Sequence, residues 1–149
     1  MNMNVLVING PNLNLLGKRE PDVYGATTLT ELQEEMRLHA QAYNMNLEFF
    51  QSNHEGEIID QIHQAMDHFQ GLIINPGAFT HYSYAIRDAI ASVKLPTVEV
   101  HISNIHAREE FRNVSVIAPI AIGQITGLGL YGYIASIHFF ANFLKKHEK

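Results

Sequence analysis

The chain has 149 residues, of which 46% are hydrophobic and 17% are charged, and this balance predicts one globular domain over residues 1–149. It contains no cysteine, which excludes disulfides, thiolate metal sites, iron–sulfur clusters and a cysteine nucleophile. The formal net charge of -5 argues against a general nucleic-acid binder and against a protein that binds anionic membranes.

Short apolar runs alternate with segments of helical periodicity along the chain. Residues 3–8 form the first run, and the polar segment 12–25 that follows has no helical period, so we expect a mobile loop there. A capping box of Thr28 and Glu31 then begins a helix that ends near Asn44. The later elements are predicted as a strand at 47–51, a helix at 57–69, a strand at 71–75, a helix at 83–92, a strand at 97–101, a loop with a helical turn at 103–111, a strand at 114–118 and a terminal helix at 127–146.

Strands that alternate with helices in this way predict right-handed crossovers and an α/β fold. Five strands in a chain of this length fit a flavodoxin-like, three-layer open parallel sheet with the strand order 2-1-3-4-5. Ligands of such sheets bind beyond the carboxyl ends of the strands, where the strand order reverses. The segments at that edge are rich in Asn, His, Ser and Gly, and they are residues 9–12, 52–55, 75–78 and 101–103. We therefore expect a ligand site there.

The N-terminal segment and the lengths of the apolar runs indicate where in the cell the protein works. Residues 1–10 have no basic segment, long apolar segment or small-residue cleavage site, so they do not resemble a signal peptide. No apolar run reaches the roughly 18 residues that a membrane-spanning helix needs. We expect a soluble, cytoplasmic protein whose partner is neither a membrane nor a nucleic acid.

Glu99 and His101 lie two residues apart on a predicted strand, so they share one face. A carboxylate beside an imidazole orients the ring and favours its protonated form, as a general acid requires. A strand-end salt bridge without catalytic function is the alternative. Asn75 and His81 could likewise present amide and imidazole groups to a ligand, or could belong to an ordinary turn that caps a helix.

Tyr24 lies in the long first loop, and a tyrosine is a poor base unless a nearby guanidinium favours the phenolate. Arg19, Arg108 and Arg112 lie in predicted loops that could supply it. Arg108 and Arg112 are four residues apart, so together they could also bind a carboxylate or hydroxyls. Solvated surface charges are the alternative for all three.

Residues 127–132 match the pattern G-x-G-x-x-G, but too little chain follows for the further strand and acidic residue of a dinucleotide site. Close backbone packing at the start of the terminal helix explains these glycines better. The histidines show no metal-ligand spacing, so we expect no metal and no cofactor.

Five colinear strings resemble the type II 3-dehydroquinate dehydratases of the shikimate pathway. They are INGPNLNLLGKREPDVYG at 8–25, QSNHEGEIID at 51–60, INPGAFTHYSYAIRDA at 74–89, VEVHISNIHAREEFR at 98–112 and GQITGLGLYGY at 123–133. The resemblance covers essentially the whole chain. It implies a hydro-lyase that converts 3-dehydroquinate to 3-dehydroshikimate, on the way to chorismate and the aromatic amino acids. The reaction it implies is an anti elimination through an enolate, without metal or cofactor.

The resemblance also implies catalytic roles. Tyr24 would take the C2 proton, and Arg19, with Arg108 nearby, would help to hold that tyrosine ionised. His101 would protonate the departing C1 hydroxyl, and Glu99 would orient and charge His101. The loop that carries the tyrosine would close as a lid.

Binding roles follow from the same resemblance. Asn12 would stabilise the enolate oxygen through an ordered water. The substrate carboxylate would lie on the backbone N–H groups of Ile102 and Ser103 and on the Ser103 hydroxyl. Asp88 would reach the site of a neighbouring subunit, since the family assembles as dodecamers of trimers. The ring hydroxyls would be bound by Asn75, His81 and Arg112.

Small departures and two competing functions accompany this resemblance. Asn113 stands where the family often has His, and the terminal helix carries Ser136, His138 and the aromatic pair 139–140, which could belong to an interface. A flavodoxin-like module that binds a nucleotide or flavin would purify with a chromophore. A catalytically dead assembly module would require a lesion at a catalytic position, and the sequence has none there.

Overall fold

The computed structural model describes residues 3–148. Its strands are β1 (Met3–Asn9), β2 (Met45–Gln51), β3 (Gly71–Asn75), β4 (Thr97–His101) and β5 (Gly123–Thr126). All strand pairs are parallel, and the order across the sheet is β2-β1-β3-β4-β5, which confirms the prediction. Every residue of β3 and β4 is buried, because helices cover both faces of these central strands.

Helices flank the sheet on both faces and complete three layers. They are α2 (Leu29–Gln41), α3 (Glu55–Ala65), α4 (Tyr84–Val93) and α5 (Tyr131–Lys146), and the single turn α1 (Pro21–Tyr24) lies in the loop after β1. Helices α2 and α5 pack on one face of the sheet, and α3 and α4 pack on the other. Thr28 begins α2 as predicted, because its hydroxyl accepts a hydrogen bond of 3.2 Å from the Glu31 N–H, which is the Thr28 half of the predicted capping box.

The predicted strand at 114–118 is wrong, and the fifth strand is β5, further along the chain. Ser115 turns the chain instead, because its hydroxyl accepts hydrogen bonds from the backbone N–H groups of Ile117 (3.1 Å) and Ala118 (2.9 Å). Val116 and Ile117 are buried against the α3 and α4 side of the sheet. The apolar pattern therefore marked core residues correctly but assigned them to the wrong kind of element.

Most other element ends lie within three residues of the predictions, but three larger differences remain. The loop at 12–25 contains a 3-10 turn at Leu13–Leu15 and the single turn of α1. Helix α3 ends at Ala65, and the residues after it form a turn. Helix α5 begins at Tyr131 rather than 127, because Gly127 and Gly129 have φ values of 86° and 61°, in the left-handed region. Across residues 3–148, no helix combines the length and apolar character that crossing a membrane requires.

Candidate active site

A cleft lies beyond the carboxyl ends of β1, β3 and β4, where the sheet order reverses. The turns after β1 and β3 touch there: the Gly10 N–H donates to the Asn75 carbonyl at 2.7 Å. A Cβ on Gly10 would lie 2.5 Å from the Pro76 carbonyl oxygen, so the approach requires glycine. All but two of the predicted site residues line this cleft, and they are Asn12, Arg19, Tyr24, Asn75, His81, His101, Ile102, Ser103, Arg108 and Arg112.

Tyr24, the last residue of α1, forms one side of the cleft. Its hydroxyl oxygen accepts a hydrogen bond of 2.8 Å from Nη1 of Arg108, and the same nitrogen lies 3.1 Å from Oγ of Ser103. The Arg19 guanidinium lies 5.3 Å from the centre of the Tyr24 ring and pairs with the Glu20 carboxylate at 3.3 Å. Arg108 is therefore the arginine that touches the phenol oxygen, whereas Arg19 lies over the ring.

His101, the last residue of β4, also lines the cleft. Its Nε2 lies 2.5 Å from Oε2 of Glu99, which is fully buried behind it and does not line the cleft. Burial alone would raise the pKa of Glu99, but the hydrogen bond and charge of His101, with two hydroxyl donors, outweigh burial and hold this pKa below its ordinary value. The pair therefore consists of an ionised carboxylate and an imidazole.

The two hydroxyl donors belong to Thr80 and Ser115, which sequence reasoning missed. Ser115 Oγ donates to Oε1 of Glu99 at 2.8 Å, and Thr80 Oγ1 donates to Oε2. A buried carboxylate on a strand signals that donors must surround it. Nothing in the residue spacing says which hydroxyls these are, because both come from separate loops.

His81 lies beside His101, and the two ring centres are 6.5 Å apart with nearly parallel planes. Nδ1 of His81 lies 2.8 Å from the Val114 carbonyl oxygen, so this nitrogen carries the proton. Desolvation lowers the pKa of His81 below its ordinary value of 6.5 and outweighs the opposing hydrogen bond to Val114. His81 is thus neutral at pH 7, and its Nε2 is a hydrogen-bond acceptor.

Asn75 is held in place by a buried network that includes Tyr133, a residue that sequence reasoning also missed. The Asn75 side chain accepts from the Gly77 N–H at 3.1 Å and donates to the Tyr133 oxygen at 2.8 Å. Tyr133 in turn donates to Oδ1 of Asn9 at 2.6 Å. Burial raises the pKa of Tyr133 well above its ordinary value, so it remains a neutral phenol.

Two cleft-lining residues next to His101 carry backbone N–H groups that are unpaired within the described chain. Among residues 3–148, the N–H groups of Ile102 and Ser103 have no hydrogen-bond acceptor. Asn12 has a φ of 71°, and Asn53 Oδ1 accepts its backbone N–H at 3.0 Å. Nε of Arg112 donates to Glu109 at 2.8 Å. Two free N–H groups beside cationic side chains form a suitable place for an anion.

Two predicted contributions lie outside this cleft. Segment 52–55 is not among its lining residues, because β2 lies beyond β1 at the sheet edge. There the Ser52 hydroxyl accepts the His54 N–H at 2.9 Å and contacts Glu57, which helps to begin α3. Asp88 is exposed on α4 and does not reach the cleft of its own chain. Within residues 3–148, no three His, Cys, Asp or Glu side chains are grouped as metal ligands.

A family model described as Dehydroquinase class II matches residues 3–141. The chain belongs to this family. A 3-dehydroquinate dehydratase of Bacillus licheniformis is 59% identical over 138 residues, which cover 93% of this chain and 95% of that relative. One of Caldicellulosiruptor saccharolyticus is 62% identical over 135 residues, or 90% and 93% of the two chains. The crystal structure of type II dehydroquinase from Butyrivibrio crossotus has a TM-score of 0.91 and 52% identity, covering 95% and 98%.

Several features of the sequence to which no catalytic role is assigned have a structural role here. Ser136 is buried and donates to the Gly132 carbonyl at 2.8 Å. Phe140 is buried against Gly71, where an added Cβ would lie 2.6 Å from the ring. The suggestion that the aromatic pair lies in an interface is therefore wrong for Phe140. The N–H groups of Gly127 and Gly129 donate to the carbonyls of 101 and 102, so these glycines pack a loop against β4.

Proposed function

We propose that this chain removes water from 3-dehydroquinate to give 3-dehydroshikimate, as a type II hydro-lyase of the shikimate pathway. One observation carries the proposal: a phenol that accepts from Arg108 and an imidazole that contacts Glu99 line the same cleft. In a chain of this family, these two groups supply a base and an acid for one elimination. The proposed reaction uses neither metal nor cofactor.

The base side begins the proposed reaction. The Tyr24 phenolate takes the proton from C2, and the electron pair of the C2–H bond moves into the enolate of the neighbouring ketone. Nη1 of Arg108 donates to the Tyr24 oxygen at 2.8 Å, so a guanidinium lies beside the group that takes the proton. Asn12, which lines the cleft, stabilises the enolate oxygen through a water molecule.

The acid side completes the proposed reaction. The enolate re-forms the ketone, the new C1–C2 double bond forms, and the C1–O bond breaks. His101 gives a proton to the departing hydroxyl, which leaves as water, and Glu99 stabilises the imidazolium that holds this proton beforehand. Tyr24 ends protonated and His101 ends neutral, so the enzyme is restored when Tyr24 loses a proton to solvent and His101 takes one from solvent.

The remaining polar groups hold the substrate. Its carboxylate binds the free N–H groups of Ile102 and Ser103, with the Ser103 hydroxyl. The neutral His81 accepts a hydrogen bond from a ring hydroxyl through Nε2. Asn75 and Arg112 donate to the other hydroxyls. The segment around Arg19 closes over the bound ring as a lid.

The single domain, residues 1–149, acts in the cytoplasm as a dodecamer built from trimers. Asp88, exposed on α4, reaches the site of a neighbouring subunit. The surface around His81 supports contact between subunits, since it carries large exposed apolar side chains, namely Tyr82, Tyr84, Phe111 and Val114. Light scattering should therefore give the mass of twelve copies. Full activity from a stable monomer would contradict the assembly.

The test of the activity is direct. Purified protein is mixed with 3-dehydroquinate without added metal or cofactor, and the near-ultraviolet absorbance of the conjugated enone is followed. We expect the absorbance to rise, and to rise equally after borohydride treatment, because no lysine imine forms. Tyr24→Phe should abolish turnover while the fold remains intact, and His101→Ala should reduce turnover severely. A folded wild-type protein that gives no rise would contradict the proposed function.

A further inference from the structure

The Glu99 carboxylate is surrounded by hydrogen-bond donors from three separate segments. His101 approaches along β4, Thr80 comes from the 3-10 helix Gly77–His81, and Ser115 comes from the loop after Glu110–Asn113. Thr80 is fully buried, and so is Glu99. The carboxylate is thus shielded from water, and its charge depends on these three donors.

The proton of each hydroxyl can be assigned from the neighbours of Ser115. A hydroxyl has one proton to donate and two lone pairs to accept with. The backbone N–H groups of Ile117 and Ala118 occupy both lone pairs of Ser115. Its proton therefore goes to Glu99. Thr80 lies 3.1 Å from Ser115 Oγ, which has no lone pair left, so the Thr80 proton also goes to Glu99.

This arrangement determines where the protons of His101 are. Two hydroxyls donate to Glu99, and the hydrogen bond and charge of His101 also hold the pKa of this carboxyl below its ordinary value, so the carboxylate is ionised. An ionised carboxylate requires that Nε2 of His101 donate to it. The imidazolium then carries its second proton on Nδ1. Because Nε2 is bound to Glu99, Nδ1 is the nitrogen that can give a proton to a substrate in the cleft.

We propose that Thr80 and Ser115 are positioning residues for the general acid: their hydroxyls hold the Glu99 carboxylate in place and thereby keep His101 in the state that delivers its proton from Nδ1. This inference rests on the proposed function, because the two hydroxyls act through the general acid that the proposed function assigns to His101. Neither hydroxyl lies among the groups that line the cleft.

Steady-state kinetics of Thr80→Val test the role. Valine keeps the shape of threonine and removes the hydroxyl, so we expect kcat to fall about 10- to 100-fold, as for loss of one hydrogen bond to a charged group. KM should change little, because no substrate contact is removed. Thr80→Ser should restore most of kcat. Thr97→Val is the matched control. Thr97 is buried like Thr80 and lies on the same face of β4 as Glu99, but its hydroxyl donates to the Leu95 carbonyl.

Deuterium exchange at C2 distinguishes a misplaced acid from general damage. In deuterated water, an enolate that cannot expel hydroxide returns to substrate and gains a deuteron. The ratio of exchange into unreacted substrate to turnover should therefore rise in Thr80→Val and remain unchanged in Thr97→Val. An unchanged ratio with unchanged kcat in Thr80→Val would overturn the inference while leaving the proposed function intact.

A spectroscopic readout on the wild-type protein keeps the inference testable if the variant fails to fold. The ¹⁵N spectrum of the neutral His101 imidazole should show a protonated Nε2 and a bare Nδ1. A neutral ring protonated on Nδ1 would overturn the inference, whatever the activity. A wild-type protein with the expected spectrum and no turnover would instead contradict the proposed function alone.

Discussion

The hydroxyl oxygen of Tyr24 lies 2.8 Å from Nη1 of Arg108, a residue 84 positions further along the chain. This contact joins the segment after β1 to the segment after β4, and both residues line the cleft. The same guanidinium nitrogen also reaches Ser103, so one side chain connects the base to the place where the substrate carboxylate is expected to bind.

Arg108→Lys should lower kcat by about 10-fold or more. A lysine ammonium keeps the charge but lacks the planar fork that serves Tyr24 and Ser103 together. Steady-state kinetics at pH 7 would measure the change. Arg37→Lys is the control, since Arg37 pairs with Glu34 on the exposed side of α2 and should leave kcat unchanged. Wild-type kcat in Arg108→Lys would show that the phenol does not depend on this contact.

Glu99→Gln should destabilise the fold by about 1–3 kcal/mol at pH 7, because the amide brings N–H groups into a ring of donors. The pKa of Glu99 in the folded chain lies below the ordinary value of 4.5. Its ionised form therefore stabilises the fold above about pH 4.5, and this contribution is lost as the pH falls through the folded pKa.

The difference in the free energy of unfolding between wild type and Glu99→Gln should thus become smaller at acidic pH. Urea unfolding at pH 7 and at about pH 4 would measure it. His81, whose pKa burial lowers, titrates in both proteins and largely cancels in the comparison. A difference that stays constant over this range would mean that the Glu99 carboxylate contributes no pH-dependent stability.

Tyr133→Phe should raise KM and lower stability. The hydroxyl joins two buried amides, so its loss removes the partner of Nδ2 of Asn75 and of Oδ1 of Asn9, at a cost of about 1–3 kcal/mol for each unsatisfied group. Thermal unfolding and KM would be measured together. Tyr131→Phe, at an exposed position at the start of α5, is the control. Should Tyr133→Phe keep the wild-type KM, Asn75 would not need the network to bind substrate.

Gly10→Ala should reduce both stability and activity, because a Cβ there would lie 2.5 Å from the backbone oxygen of Pro76. The turns after β1 and β3 would have to separate, which would displace Asn12 and Asn75. Gly56→Ala in α3 is the matched control: no atom lies within 4 Å of its Cβ, and alanine favours a helix by about 1 kcal/mol over glycine. Equal unfolding temperatures for the two variants would contradict the prediction.

The central strands could be predicted from the sequence because their apolar runs are continuous. The predicted bounds of β3 and β4 match the structure, since these strands are buried on both faces and end in polar residues. Strand β5 could not be found in this way. It lies at the sheet edge with no buried residue, so Gly123–Thr126 gives almost no hydrophobic signal, whereas the buried Val116 and Ile117 gave a misleading one.

The residues expected at the site could be predicted from residue type, order and resemblance, and the structure brings most of them to one cleft. Their chemical roles stay predictions. The groups behind them could not be predicted, because they act through contacts between distant segments. Tyr133 lies 58 residues from Asn75, and no local pattern marks an ordinary helical tyrosine as the partner of a buried amide.

The short helix α1 has a consequence for how the chemistry could be tuned. The proposed base lies at the end of a surface segment whose path depends on a left-handed Glu20 and on Pro21, whereas the proposed acid lies on a fully buried strand. Exchanging residues 12–25 for those of a relative would therefore alter one half of the reaction while the other half kept its geometry. Substitutions in the surface segment could therefore change the proton-abstraction step without changing the geometry of the proton-donation step.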